Sequence, residues 1–220
     1  MSRFRFAVGL AAVLASSIVS AEDEGAKPLF DGKSIDGWKV ESGTAEYRVE
    51  GGAIVGKTVE GSGNTFLCKG PFKDFVLEFD VKCDPELNSG VQVRSHLRDP
   101  DDQGLRRLYG PQCEIANNGT AGKFYDEARD GKWIDGEGPK SPEAEKAFDD
   151  QGWNRYRIVV QGDRYRSWVN GVPTADFRDG RDSEGFIGLQ VHGIARGTGP
   201  YEVRWKDVTI RELAPGQAAD

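Results

Sequence analysis

Three short segments of the chain each carry two polar side chains at alternating positions, of types that bind sugars or move protons. The pairs are Gln92 and Arg94 in SGVQVRS, Gln112 and Glu114 in PQCEIAN, and Gln190 and His192 in GLQVHG. Successive side chains of an extended chain point to opposite faces, so the apolar residues between them occupy the other face. The pattern favours a ligand-binding sheet face, and an ordinary solvated polar face is the alternative.

The ionisable members of this set, Glu114, His192 and Arg94, could together carry acid–base chemistry. A carboxylate beside an imidazole can divide the roles of base and acid near neutral pH. A guanidinium stays charged and offers forked donors, so Arg94 could stabilise an oxyanion. The alternative is that Arg94 and Glu114 only neutralise each other across neighbouring strands, which contributes less than about 1 kcal/mol if they are exposed.

Two long segments, 96–110 and 117–152, separate the predicted strands, and loops of that length are usually functional or disordered. The second contains FYDEARDGKW, in which three aromatic residues are interleaved with acids and an arginine, unlike a pure linker. We therefore expect this part to fold over the polar face as one wall of a cleft. Tyr125, Glu127 and Arg129 would close the site, and Trp133 would either stack on a sugar or belong to the loop alone.

The cysteines and histidines argue against a structural zinc site. The chain has no CxxC motif and only two histidines. Three cysteines, Cys68, Cys83 and Cys113, cannot all pair within one chain. Cys83 and Cys113 continue the apolar phase of their strands and fit small core positions, and one disulfide among the three is the alternative.

The N-terminal residues 1–21 have the pattern of a signal peptide, with Arg3 and Arg5 before an apolar run and small residues at its end. We expect an exported protein, periplasmic or extracellular, without membrane insertion after cleavage; an uncleaved anchor is the alternative. Removing this segment takes away two of the 29 basic residues and none of the 36 acidic ones, which changes the formal net charge from −7 to −9. Such a charge argues against a nucleic-acid partner.

The rest of the chain predicts one domain at 28–213, after a flexible lead at 22–27 and before a disordered tail at 214–220. Apolar and polar residues alternate in short segments such as Phe75–Lys82, separated by turns rich in Gly, Asn and Asp, and the only helical pattern is at Pro142–Phe148. Roughly ten to thirteen strands are too many for one open sheet. We expect an all-β fold, a two-sheet antiparallel β-sandwich of the jelly-roll kind, with a closed barrel as the alternative.

The order of motifs resembles one known family over roughly Pro28 to Leu213. The motifs are LFDGKSIDGW, NSGVQVRS, YGPQCEI, FYDEARDGKW, GWNRYRIVVQGDRYRSWVNG and GFIGLQVHG. This ordered set is similar to that of the 3-keto-disaccharide hydrolase domain family, also described as 3-keto-glucoside 1,2-lyase/2-hydroxy-glucal hydratase. The resemblance implies a concanavalin A-like jelly roll that acts on glycosides oxidised at carbon 3. The fold also serves lectin-like binding modules, so a non-catalytic carbohydrate-binding module is the alternative, and a structural domain of a surface assembly a weaker one.

The chemistry that the resemblance implies needs a base, an oxyanion stabiliser and a proton donor for the leaving oxygen. Glu114 and His192 would be base and acid in an order left open, and Arg94 would polarise the 3-keto oxygen. The substrate would be bound by the residues Gln92, Gln112, Gln190, Tyr125, Glu127, Arg129 and Trp133. A divalent cation could share the enolate role, and the resemblance leaves this open, as it does the oligomeric state.

Overall fold

The computed structural model describes residues 25–102 and 104–219, and the predicted signal peptide lies outside the described residues. Two antiparallel sheets pack face to face. The strands in chain order are β1 (Lys27–Pro28), β2 (Lys39–Glu41), β3 (Glu46–Glu50), β4 (Ala53–Lys57), β5 (Thr65–Phe72), β6 (Phe75–Cys83), β7 (Ser89–Leu97), β8 (Leu108–Ile115), β9 (Phe124–Glu127), β10 (Asn154–Gln161), β11 (Arg164–Val169), β12 (Val172–Arg178), β13 (Gly185–Val191) and β14 (Glu202–Glu212). The predicted two-sheet β-sandwich is confirmed.

The larger sheet has eight strands in the order β12-β11-β10-β6-β14-β4-β3, with β1 beside β14. The smaller sheet has six, in the order β2-β5-β13-β7-β8-β9. The core lies between them, where alternate residues of β6, such as Leu77, Phe79 and Val81, are fully buried. The Phe79 and Tyr156 rings stack with centroids 5.2 Å apart. The smaller sheet therefore has one face on this core and the other face available for a site.

The structure differs from the sequence predictions at the ends and inside the long loops. The short strand β9 lies inside the segment 117–152, and a single-turn helix α1 (Pro142–Glu145) replaces the longer predicted one. Lys27 of the expected flexible lead pairs with Ile210. Residues 214–219, expected to be disordered, lie against the outer face of the larger sheet, where Ala219 is buried.

The three cysteines are all buried and unpaired. Cys83 and Cys113 belong to the core between the sheets, as their apolar phase predicts, whereas Cys68 packs with Phe66 and Leu108 on the other face of the smaller sheet. The disulfide held as an alternative is therefore not formed. Among residues 25–102 and 104–219, no helix is long and apolar enough to cross a membrane.

The strand β7 is interrupted by a bulge at Arg94, which has a φ of +49°. The register between β7 and β8 shifts between Gln92 and His96 at this point. Gly185 of β13 accommodates the bulge, because a Cβ there would lie 2.4 Å from the Arg94 carbonyl carbon. A bulge re-aims the side chains that follow it, so the polar alternation of β7 ends before Arg94.

Candidate active site

The outer face of the smaller sheet carries a patch of amide and carboxylate side chains from β13, β7, β8 and β9. Gln92 pairs with Gln112, and Gln112 pairs with Tyr125. In the next row Gly90 pairs with Glu114, and the same register places Gln190 on the other side of Gly90. The alternation therefore brings polar side chains of separate strands into two adjacent rows, as the sequence predicts.

Above Glu114 the face opens into a cavity of about 350 Å³, the Glu114 lobe. Its lining comes from β8, β9 and the loops beside them. The lining residues are Asn88, Gln112, Glu114, Asn118, Thr120, Tyr125, Glu127, Trp133 and His192. The lobe is thus a polar chamber with two aromatic rings, which is a suitable lining for a sugar.

Glu114 has the chemical environment of a proton-transfer group. Its side chain is buried, with Gln112 Nε2 donating to Oε1 at 2.8 Å and Asn88 Nδ2 donating to Oε2 at 3.2 Å. Burial raises the pKa of Glu114 from 4.5 to about 7, against the lowering effect of these two hydrogen bonds. Nearby Glu127 raises this pKa further. Glu114 can therefore take up or release a proton near neutral pH.

His192 lies at the edge of the lobe, one alternation beyond Gln190. Its Nδ1 is 2.6 Å from the carbonyl oxygen of Gly193. A carbonyl only accepts, so Nδ1 carries the proton and Nε2 is the nitrogen left for a ligand. Asn64 supports this segment, because Gly193 N donates to Asn64 Oδ1 at 2.9 Å while Asn64 Nδ2 donates to Glu127 Oε1 at 3.2 Å.

An aromatic wall closes one side of the Glu114 lobe. The Tyr125 and Trp133 rings meet edge to face with centroids 5.4 Å apart. Behind them the Lys123 ammonium lies 5.3 Å from the Trp133 ring centroid and 3.1 Å from Asp135 Oδ1, with both charged side chains buried. Burial raises the pKa of Asp135, and Lys123 opposes that shift. The expected wall of the cleft is therefore formed by the segment FYDEARDGKW.

A second cavity of about 470 Å³, the Arg106 lobe, adjoins the first. It shares Glu127 and His192 with the Glu114 lobe, so these two side chains form a ridge between the lobes. The lining residues that distinguish the Arg106 lobe from the Glu114 lobe include Asn64, Phe66, Leu105, Arg106, Arg107 and Leu108. The site is thus a cleft of two lobes with different chemistry.

Arg94 does not join Glu114 and His192, contrary to the expected convergence of the three. Its guanidinium is fully buried and donates to the carbonyl oxygens of Lys73, Gly162 and Asp182 and to Asp74 Oδ1. The bulge turns this side chain away from the polar face. The cross-strand Arg94–Glu114 pair held as an alternative is not formed either, because Glu114 pairs with Gly90.

Three other predicted residues also lie outside the lining of the cleft. Gln92 and Gln190 are fully buried beneath its floor, and Gln112 alone of the three glutamines lines the Glu114 lobe. Arg129 is held by Asp126 and by Asp182, at 2.9 Å from a carboxylate oxygen of each. The structure therefore brings together Glu114, His192, Gln112, Tyr125, Glu127 and Trp133.

Three residues that line the Glu114 lobe were not predicted from the sequence: Asn88, Asn118 and Thr120. Of the Arg106 lobe, Glu127 and His192 alone were predicted as site residues. Asn88 lies two residues before Gly90 and could have been found by continuing the alternation of β7 backwards. Asn118 and Thr120 lie in a loop, where alternation gives no signal. The backbone N–H and the hydroxyl of Thr120 both donate to Asn118 Oδ1, which fixes the orientation of that amide.

The cleft residues do not make up a metal-binding set. Within the described part of the chain, no group of three or more His, Cys, Asp or Glu side chains is placed to hold a metal ion. The divalent cation therefore stays a prediction.

Comparison with known proteins agrees with this architecture, that of a carbohydrate-active β-sandwich. A model of the 3-keto-α-glucoside-1,2-lyase-like domain matches residues 25–211, and the chain belongs to that family. The family resemblance inferred from the ordered motifs is confirmed. A curated relative, the 3-keto-disaccharide hydrolase of Bacteroides thetaiotaomicron, is 25% identical over 235 residues, covering 83% of this chain and 79% of the relative.

Two solved structures show the same fold at low sequence identity. A protein of Parabacteroides distasonis ATCC 8503, described as a candidate glycosyl hydrolase, has a TM-score of 0.62 at 19% identity, covering 90% of this chain and 99% of its own. The carbohydrate-binding module CBM66 of Bacillus subtilis has a TM-score of 0.55 at 19% identity, covering 80% and 96%. The fold is thus shared by a candidate hydrolase and a binding module.

Proposed function

We propose that the chain cleaves glycosides oxidised at carbon 3 by elimination followed by hydration, with Glu114 as the base. The observation that carries this proposal is the burial of Glu114 in a sugar-sized polar lobe, with a pKa of about 7. A carboxyl of this kind is uncharged for part of the time near neutral pH and can both remove and return a proton. We further propose that the protein is exported, on the signal-peptide pattern of residues 1–21.

The reaction follows from the acidity that a ketone confers on its neighbouring carbon. Glu114 removes the hydrogen on carbon 2, and the electron pair forms the enolate of the 3-keto group. The enolate then re-forms the ketone, a double bond joins carbons 1 and 2, and the bond to the leaving oxygen on carbon 1 breaks. Water adds across this double bond, with its hydroxyl on carbon 1 and its hydrogen on carbon 2. One carboxylate and one proton donor suffice, unlike the two carboxylates of an ordinary glycosidase.

Two observations support His192 as the donor to the leaving oxygen: it lines both lobes, and the contact with the Gly193 carbonyl uses Nδ1 and not Nε2. The ring donates through Nε2 when it is protonated there, and Gly193 holds its orientation through Nδ1. Glu114 as base and His192 as acid is the order that we propose, where the sequence leaves both orders open.

The enolate oxygen needs a donor other than Arg94, whose guanidinium is committed to four protein acceptors. We propose the Asn118 amide as the donor to the enolate oxygen. Its Oδ1 accepts from the Thr120 N–H at 3.2 Å and from the Thr120 hydroxyl at 2.6 Å, so its Nδ2 faces away from Thr120. Neutral amide donors of this type stabilise oxyanions in other enzymes.

The experiment is to incubate the protein with a 3-keto-glucoside bearing a chromogenic leaving group, beside the unoxidised glucoside. We expect release from the keto substrate alone, with kcat/KM rising with pH around a midpoint near 7 as Glu114 loses its proton. Glu114→Gln should lower kcat/KM by about 100-fold or more. Glu184→Gln, which changes an exposed carboxyl near Lys73, is the matched control and should keep full activity.

Equal release from both glucosides, or full activity in a folded Glu114→Gln variant, would contradict the proposal. Folding of each variant is checked by circular dichroism and thermal unfolding. Assays with and without added Mg²⁺ and Mn²⁺ test the cation that the family resemblance leaves open.

A second candidate function is carbohydrate binding without cleavage. The similarity to the fold of CBM66 and the Tyr125–Trp133 wall favour it. This function predicts binding of an oligosaccharide that Trp133→Ala weakens and that Glu114→Gln leaves unchanged, with no release from either glucoside.

A further inference from the structure

The Arg106 lobe differs in charge from the rest of the chain. Two consecutive arginines, Arg106 and Arg107, line it in a protein whose formal net charge is −7. Within the described part of the chain, the one ion pair of the Arg106 guanidinium is a distant one, with Glu41 Oε1 at 4.0 Å. Among the described residues, the Arg107 guanidinium has no hydrogen-bond or ion-pair partner. Both cations are therefore available to a ligand.

Two carboxylates, Asp101 and Glu127, also line this lobe, and each accepts from a neutral donor. Asp101 Oδ1 accepts from the Leu105 backbone N–H at 2.9 Å, which holds it in the turn. Glu127, on the ridge, accepts from Asn64. Two guanidinium groups side by side offer forked donors that match the two oxygens of a carboxylate.

The apolar surface of the lobe comes from Leu105, which keeps 37% of its surface exposed, whereas Phe66 and Leu108 are buried behind the lining. A flat apolar group can pack against Leu105, whereas a sugar ring would place hydroxyl groups against this side chain without partners. The lobe thus places an exposed leucine beside two consecutive arginines.

We propose that the Arg106 lobe binds the leaving group and selects one made of an aromatic ring that bears a carboxylate. The inference rests on the proposed function, since the ridge residue His192 would protonate the leaving oxygen between the two lobes. The ring packs against Leu105, and its carboxylate binds Arg106 and Arg107. A phenolate is also a good leaving group for an elimination step.

The first test measures binding without catalysis. The dissociation constants of 4-hydroxybenzoate, its methyl ester and glucuronate are determined by NMR titration of the wild type and of the Arg106→Gln/Arg107→Gln double variant. We expect the acid to bind about tenfold more tightly than the ester in the wild type and equally in the double variant. Arg178→Gln, an exposed arginine of the larger sheet paired with Asp163, is the control and should keep the preference.

The second test compares kcat/KM for the 3-keto-glucosides of the same two phenols. The acid-to-ester ratio should fall about tenfold in the double variant, and comparing ratios removes the intrinsic difference between the leaving groups. Binding preference without cleavage of either glucoside would support the subsite and contradict the proposed function. Cleavage of both with an unchanged ratio, equal binding of acid and ester in the wild type, or binding of glucuronate alone would overturn the subsite.

Discussion

Gly90 of β7 lies directly opposite Glu114 of β8, and the missing side chain of Gly90 leaves the space that the Gln112 side chain occupies. A Cβ at Gly90 would come within 2.6 Å of Gln112 Cδ and Cγ. Gln112 in turn donates to Glu114 Oε1 at 2.8 Å. The position of the proposed base therefore depends on a glycine that does not itself line the Glu114 lobe.

Gly90→Ala should displace Gln112 and remove its hydrogen bond to Glu114. That bond lowers the pKa of Glu114, so its loss raises the pKa above the present value of about 7. The midpoint of the pH–activity profile should move to higher pH. The activity at pH 6.5 should fall by a factor of up to about three. Gly180→Ala, where an added Cβ has only one neighbour at 4.0 Å, is the control. An unchanged midpoint in Gly90→Ala would show that Gln112 does not tune Glu114.

The stability of the protein should depend on pH through Glu114. Its pKa is raised from 4.5 to about 7 on folding, so the folded state binds this proton more tightly than the unfolded state does. The stabilising contribution is therefore complete below about pH 4.5 and is lost as the pH rises to 7. From pH 4.5 to 8, the wild type should lose on the order of 3 kcal/mol relative to Glu114→Gln. Urea unfolding of both proteins checks this, and a difference that does not vary with pH would contradict it.

Arg94→Lys should destabilise the protein. A lysine cannot replace the forked donors that join Lys73, Gly162 and Asp182, and buried acceptors would be left unpaired. We expect a loss of about 3 kcal/mol and a Tm lower by about 6 to 12 °C. Differential scanning calorimetry measures the shift, with Arg178→Lys as the exposed control. If the Arg94→Lys variant instead kept the wild-type Tm but lost activity, Arg94 would have a role in the reaction.

Trp133→Ala should weaken substrate binding more than it slows the reaction. The ring stands in the wall of the Glu114 lobe beside Tyr125, so its loss removes a stacking surface and raises KM by about tenfold with kcat within about threefold. Trp153→Ala, an indole 40% exposed outside the cleft, is the matched control and should change neither constant. A fall in kcat with KM unchanged would show that Trp133 acts on the transition state.

Alternation along the chain predicts most of the fold, because period-2 patterns decide which face each strand buries. It also places Glu114, Gln112 and His192 on one face correctly. It fails at Arg94, where one residue in the left-handed region ends the alternation of β7. Nothing in the sequence of β7 marks that bulge, since the glycine that accommodates it, Gly185, lies on another strand.

The three predicted glutamines differ in whether they reach the cleft, and the alternation of polar residues in the sequence cannot show this difference. Gln92 and Gln190 have the same alternation as Gln112, yet they lie beneath the floor of the cleft and only Gln112 reaches it. Which members of a polar row meet solvent depends on the loops that cover the sheet. The Arg106 lobe was missed for the same reason, because Leu105, Arg106 and Arg107 come from such a loop.

The Asn64 amide stabilises both residues of the ridge: it donates to Glu127 and accepts from Gly193, which follows His192 in the chain. On the proposed mechanism, an intact substrate lies across this ridge and contacts both lobes at once. After the bond over the ridge breaks, each fragment keeps the contacts of one lobe only. The two products can then dissociate independently, because each fragment binds more weakly than the intact substrate did.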